Sequence, residues 1–213
     1  MKIIEPSFEV ETPLTDFDVI NILRGIERAA RTSYKSPMCA EIGDTIAFLR
    51  KIFKHQPVFE LGPDLTIRFI CDRGVSHELV RHRLVSFVQE STRYCNYSQE
   101  KFGNEITVIH PCFWPASADS LLYASWFSAC CAAEMRYFDL LKMGATAQQA
   151  RTVLPNSLKT EIVMKANLRE WRHILKERTS KAAHPQMRQL MIPLLKLLKT
   201  KIPVVFEDIT AEE

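Results

Sequence analysis

Residues 65–72 read Leu-Thr-Ile-Arg-Phe-Ile-Cys-Asp, and after eight intervening residues the chain continues Arg-His-Arg-Leu-Val-Ser-Phe-Val-Gln-Glu-Ser-Thr-Arg over 81–93. Leu65, Ile67, Phe69 and Cys71 alternate with Thr66, Arg68 and Asp72. A period of two is that of a strand with one face in a core. Gly74 is placed to end the strand, and Ser76 to cap a helix that leads into the basic segment. A half-buried strand joined to a helix and then to a concentration of polar and cationic side chains predicts an α+β chain.

Other segments extend the pattern. Ile20, Leu23 and Ile26 recur at helical spacing over 16–32, with Thr15 or Asp16 as cap, and Ile42, Ile46, Leu49 and Phe53 do so over 40–54. A strand is expected near 106–110, then a loop with Pro111 and Pro115, then the longest helix over 118–143, on which Trp126, Phe127 and Met135 read as core. Thr146 and Gln149 form a capping-box pair ahead of Arg151, with a stop at Pro155. Residues 159–166 read as a strand, and Asn167 with Glu170 opens a helix to about Arg178 that sets Arg169 and His173 four apart on one face. A last helix from Pro185 carries Leu190, Met191, Leu194, Leu195 and Leu198, with Pro193 as a break or kink. With no repeat, low-complexity tract or Gly/Ser linker, residues 1–213 are expected to form one α+β domain, an antiparallel or mixed sheet flanked by helices.

Composition narrows the function classes. The chain has 213 residues, and 46% hydrophobic with 25% charged residues suits a folded core rather than disorder. A net charge of +3, from 28 basic and 25 acidic residues, is too small for a general nucleic-acid binder. Glu5, Pro6 and Glu9 rule out a signal-peptide reading of the first ten residues, and no apolar run reaches the ~20 residues that span a bilayer, so a cytoplasmic protein is expected. Six cysteines, at 39, 71, 95, 112, 130 and 131, lack CxxC or zinc spacing and read as reduced, mostly buried thiols with no metal site. Six glycines contain no Gly-x-Gly, so neither a Rossmann fingerprint nor a P-loop is present. A dinucleotide would have to be held by side chains.

Residues 81–93 supply such side chains. Arginine offers a planar donor fork matched to phosphate oxygens, histidine exchanges protons near neutral pH, and serine adds a short hydroxyl. A charge-assisted bond contributes about 1.5–3 kcal/mol, so three or four converging on one phosphate would hold a nucleotide. An Arg-His-Arg triplet alone is common on solvated helix faces and decides nothing. Its combination with Ser91 and Arg93 is more specific. The pattern Arg-His-Arg, seven residues, then Ser resembles the signature of the flavin-dependent thymidylate synthases.

The resemblance runs from about Arg31 to Arg188. Ala-Arg-Thr-Ser at 30–33, His55 with Phe59-Glu60, Ala150-Arg151 with Leu154-Pro155, and Asn167, Arg169, His173 and Arg178 all fall on family motifs. The departures are Val58 and Leu61 around Phe59-Glu60, Glu78 where many members have Gln, Gln89-Glu90 in place of Glu and an apolar residue, and His173 where Asn is common. The resemblance implies reductive methylation of dUMP to dTMP, with 5,10-methylenetetrahydrofolate as one-carbon donor and FAD reduced by NADPH. It implies FAD contacts from Ser33, His55, Arg81, His82, Arg83, Gln89, Asn167, Arg169 and His173. It implies dUMP contacts from Glu78, Arg81, Gln89, Glu90, Ser91, Arg93, Arg151 and Arg178, with Arg178 as the group that activates the pyrimidine. It also implies a homotetramer with active sites shared between subunits and no cysteine nucleophile. The alternative from the residues alone is a non-catalytic nucleotide- or RNA-binding module that uses the same segment as a phosphate clamp.

Overall fold

The structure, a computed structural model, describes residues 1–54, 56–116 and 120–212. In chain order its elements are β1 (Lys2–Ile4), β2 (Ser7–Val10), α1 (Asp16–Arg31), α2 (Ile42–Lys51), β3 (Leu65–Asp72), α3 (Arg73–Leu79), β4 (Ser86–Gln89), β5 (Thr107–Ile109), α4 (Leu121–Lys142), α5 (Ala147–Ala150), β6 (Lys159–Ala166), α6 (Leu168–Arg178), α7 (Pro185–Lys201) and α8 (Pro203–Phe206). Single turns of 3-10 helix lie between them, at Thr32–Tyr34 and Arg151–Val153 among others. The whole is α+β, with an antiparallel sheet flanked by helices.

The local chemistry of most elements is that expected from sequence. Thr15 caps α1 through a capping box with Asp18, and in β3 Leu65, Ile67, Phe69 and Cys71 are all fully buried. The α7 stripe of Leu190, Met191, Leu194, Leu195 and Leu198 is core, and the helix runs through Pro193. The segment after β3 differs. Asp72, not Ser76, is the cap: its carboxylate accepts from the Val75 N–H at 2.7 Å, and α3 begins at once. Gly74 therefore lies inside a helix rather than ending a strand, because the cap already supplied by the last strand residue lets the helix start without a spacer. Since α3 stops at Leu79, the Arg81-His82-Arg83 triplet stands in the loop between α3 and β4, off any helix. Phe127 and Met135, expected in the core, are 41% and 51% exposed, because α4 turns that face away from its packed side. Likewise only Cys71 and Cys130 of the six thiols are buried, although all six are free.

Four strands form a sheet in the order β2-β3-β6-β4, and β1 pairs with β5 in parallel, Ile3 opposite Val108. The chain divides into two compact units, each built from discontinuous segments. The first comprises Met1–Ser7, Phe69–Arg81 and Phe87–Val163; the second comprises Phe8–Arg68, His82–Ser86 and Met164–Glu213. In the first, Tyr97, Ile106, Val108, Cys130, Tyr137, Ala150 and Leu158 form the buried cluster, around which Trp126 and other half-buried side chains pack. In the second, Trp171, Ile174 and Leu175 of α6 are fully buried with the α7 leucines. Gly62 has a packing reason: a Cβ there would lie 3.0 Å from Ile26 Cγ1 and 3.3 Å from Leu168 Cδ1, at the start of α6. Only glycine allows that approach unaltered.

Candidate active site

In the second unit, α6 carries the densest chemistry. Its start is fixed by Asn167, whose side-chain oxygen accepts from the Glu170 N–H at 2.9 Å. Its buried side is fixed by Trp171, which donates from the indole to Leu65 O at 3.0 Å, and by Arg172. The Arg172 guanidinium makes a two-point contact with Asp208 at 2.6 and 2.7 Å, donates to Val205 O, and lies 4.6 Å from the Phe53 ring. With residues 171, 172, 174 and 175 committed inward, Asn167, Arg169, Glu170 and His173 are left to line a cavity of about 550 Å³ with Glu60 and Leu84. The Arg169 and His173 face expected from their spacing is thus a cavity wall. Arg169 pairs with Glu60 at its rim, both half-exposed.

The triplet enters through His82, which is buried. Arg178 Nε donates to His82 Nε2 at 3.0 Å. A guanidinium is permanently charged and its Nε always carries hydrogen, so His82 Nε2 must be the bare nitrogen and the imidazole proton must sit on Nδ1. Nδ1 lies 4.0 Å from Glu170 Oε1, and the His173 ring stands edge-on to His82 at 6.0 Å. Burial, then the charges of Arg178 and His173, push His82 down to about 4, so it is neutral at physiological pH. His82, Glu170 and His173 bring potential metal-ligand atoms within 4.8 Å of one another. The His82 lone pair is nevertheless engaged by Arg178, and a permanent cation beside it suits an anionic ligand better than a metal ion.

In the first unit the polar residues form separate groups. Gln89 Nε2 donates to Ser76 Oγ at 2.9 Å and to Thr160 Oγ1 at 3.2 Å. Ser76 gives its own hydrogen to Arg73 O, so it accepts from Gln89 and leaves the Gln89 carboxamide oxygen turned from that pair. Glu90 accepts from Tyr97 at 3.0 Å and Lys159 at 2.9 Å, and Lys159 is held up in pKa against its burial by Glu161 and Glu90. Ser91 opens a turn: its carbonyl accepts from Tyr94 and Cys95 N–H, and its hydroxyl from Arg93 N–H at 3.3 Å. Arg151 donates to Thr92 Oγ1 at 3.3 Å, which sets Arg151 beside the Ser91–Arg93 turn.

The residues named from sequence thus fall into two sets. Glu78, Arg81, Gln89, Glu90, Ser91, Arg93 and Arg151 belong to the first unit, whereas Ser33, His82, Arg83, Asn167, Arg169, His173 and Arg178 belong to the second. Within these sets the structure joins Ser91, Arg93 and Arg151, and separately His82, Arg178, Asn167, Arg169 and His173. Arg81 and Arg83 are exposed, and Ser33 is exposed on its own 3-10 turn. His55 lies outside the described residues. By sequence Glu170 is only a cap partner; its approach to His82 depends on a contact 88 residues apart that no local pattern encodes.

Comparison with known proteins shows the family and the fold. Residues 19–204 match the family described as Thymidylate synthase complementing protein. The chain is 33% identical over 193 residues to the flavin-dependent thymidylate synthase of Geobacter sulfurreducens, covering 84% of this chain and 78% of that protein. It is 34% identical over 176 residues to that of Corynebacterium efficiens, covering 78% and 70%. A crystal structure of the UMP/dUMP methylase PolB from Streptomyces cacaoi, bound with 5-Br dUMP, shares the fold, with a TM-score of 0.75 at 21% identity over 97% of this chain and 96% of that one. The chain is therefore an enzyme of the methyltransferase class. It belongs to the family of flavin-dependent thymidylate synthases.

Proposed function

We propose that this enzyme converts dUMP to dTMP by reductive methylation, with 5,10-methylenetetrahydrofolate as the one-carbon donor and NADPH as the source of reducing equivalents. The observation that carries the reading is the Arg178–His82 contact, which holds a guanidinium at the C-terminal end of α6, the helix whose Asn167, Arg169, Glu170 and His173 line a cavity of about 550 Å³. Uracil C5 is a weak nucleophile until negative charge on the ring is stabilised, and a preorganised cation in a site of low water content does this without reorganising as the charge develops. Arg178 takes that role.

The cavity on α6 suits FAD: about 550 Å³, with donors from Asn167, Arg169 and His173 and no glycine-rich loop. His82 and Arg83 supply further contacts, as do Ser33, His55, Arg81 and Gln89. When bound, the flavin supplies hydride chemistry that no side chain can provide. The residues themselves bind, orient and polarise. Ser91 and Arg93 on one turn, with Arg151 bonded to Thr92 beside it, form the cradle for the dUMP phosphate, while Glu78, Arg81, Gln89 and Glu90 complete the substrate set. The proposed protein is one functional domain over 1–213 that works as a cytoplasmic homotetramer with sites shared between subunits. Among the described residues, no helix is long and apolar enough to cross a membrane.

The test is direct. Purified protein should carry visible flavin absorbance or take up added FAD, and should release dTMP from dUMP when given methylenetetrahydrofolate and NADPH. Protein that takes up no flavin and forms no dTMP overturns the reading.

A further inference from the structure

Glu170 is a costly residue in its position. It is 8% exposed, its carboxylate borders the cavity, and its partner among the described residues is the neutral imidazole of His82, 4.0 Å away. A carboxylate withdrawn from water without a close counter-charge opposes stability. Its backbone N–H serves the Asn167 cap, but that role needs no particular side chain. What the carboxylate does face is His82 Nδ1, the nitrogen that must hold the proton if Nε2 is to accept from Arg178.

We propose that Glu170 is a positioning residue: by favouring the Nδ1–H tautomer of His82 it keeps His82 Nε2 available to Arg178 and so aims the guanidinium. The three groups follow one another, carboxylate to imidazole at 4.0 Å and imidazole to guanidinium at 3.0 Å, and the imidazole between them is neutral. The order matters because imidazole has one lone pair when neutral. Were the proton on Nε2, it would oppose the Arg178 Nε–H donor to donor, and Arg178 would turn away. A carboxylate behind a histidine fixes tautomer and ring orientation in the same manner in catalytic triads and metal sites. Among the described residues His173 also faces His82, and its positive form would oppose the arrangement. The catalytic consequence rests on the role given to Arg178 above; the tautomer does not.

The experiment pairs ¹⁵N-imidazole NMR of His82 with kinetics in the full-length enzyme. Glu170→Gln keeps an acceptor oxygen opposite Nδ1 and serves as the conservative rescue; Glu170→Leu removes the acceptor. The wild type and Glu170→Gln are expected to show the Nδ1–H tautomer. Glu170→Leu is expected to show Nε2–H, with kcat for dTMP formation about tenfold lower and the Kd values for dUMP and FAD little changed, as for a loss of aim rather than of binding. An unchanged His82 tautomer in Glu170→Leu overturns the proposal, as does a kcat equally reduced in Glu170→Gln and Glu170→Leu. If the wild type makes no dTMP, the functional reading fails, and the NMR comparison still decides the role of Glu170.

Discussion

Glu27 offers the sharpest test of what holds the second unit together. It is an acid in the middle of α1 and fully buried. Its Oε1 accepts from Arg31 Nε at 2.6 Å and Cys39 N at 2.8 Å, and its Oε2 accepts from Arg24 at 3.1 Å and the Thr45 hydroxyl at 2.7 Å. The two arginines carry the connection onward. Arg24 donates to Ala40 O at 2.8 Å, and Arg31 donates to Ser36 Oγ at 3.1 Å while lying 4.1 Å from the Phe48 ring. One carboxylate therefore clamps α1, α2 and residues 36–40 between them. Burial pushes the Glu27 carboxyl up, but the Cys39 N–H, the Thr45 hydroxyl and Arg31 outweigh it and hold the pKa at about 2.

Glu27→Gln keeps the shape, but turns an NH₂ toward two donors and leaves two guanidiniums without their counter-charge. Two lost hydrogen bonds and the uncompensated charge amount to about 3 kcal/mol. For a chain of this length that corresponds to a melting temperature lower by about 6–12 °C. The pH dependence has a definite sign. A depressed carboxyl stabilises the fold above its unfolded-state value, about 4.3, and that stability is lost as pH falls toward the folded value. Thermal unfolding by circular dichroism should show the full gap between wild type and Glu27→Gln at pH 7, narrowing from about pH 4.5 downward. A gap under 2 °C at neutral pH, or one that stays constant as the carboxyl titrates, would refute the assignment.

Three further outcomes are expected. Asp208→Asn should destabilise by about 1–2 kcal/mol, discounted because Asp208 is partly exposed, since the buried Arg172 loses its two-point partner; Arg172 holds the Asp208 carboxyl low, so chemical denaturation should show the difference shrinking at acid pH. Arg169→Ala should raise the FAD Kd about 10–100-fold in a fluorescence titration, the loss of one charge-assisted contact, and an unchanged Kd would remove Arg169 from the flavin site. Cys95→Ser with Cys112→Ser should leave steady-state turnover within about twofold, because partial desolvation by the surrounding protein pushes both thiols up from their ordinary pKa and leaves little thiolate at neutral pH.

Much of this architecture is legible because it is local. The Thr15, Thr146 and Asn167 caps, the alternation in β3 and the leucine stripe of α7 each occupy one window, and the structure places them as expected. In Thr146 and Gln149 even the reciprocal bond, 2.9 Å from the Thr146 N–H to the carboxamide oxygen, follows from the spacing. Shorter or longer-range features are not legible. β1, β2, β4 and β5 have three or four residues each, too few for a period to emerge, so the first two and β4 have no sequence signal while β5 announces itself only as an apolar run. The α3 cap escapes because Asp72 also completes the strand alternation. Glu27, Glu170 and the Arg178–His82 bond depend on partners brought close by folding, the last across 96 residues. The candidate site residues themselves lie in segments that resemble family motifs, and the structure adds which of them touch.

Activation of the pyrimidine is the role proposed for Arg178, and one variant isolates it. Arg178→Ala, loaded with FAD and assayed for dTMP release alongside its visible spectrum, should keep flavin absorbance close to that of the wild type while turnover falls by about 10²-fold or more, the scale for removing a preorganised electrostatic contact. A flavin-loaded Arg178→Ala enzyme that forms dTMP at near wild-type rate would contradict it.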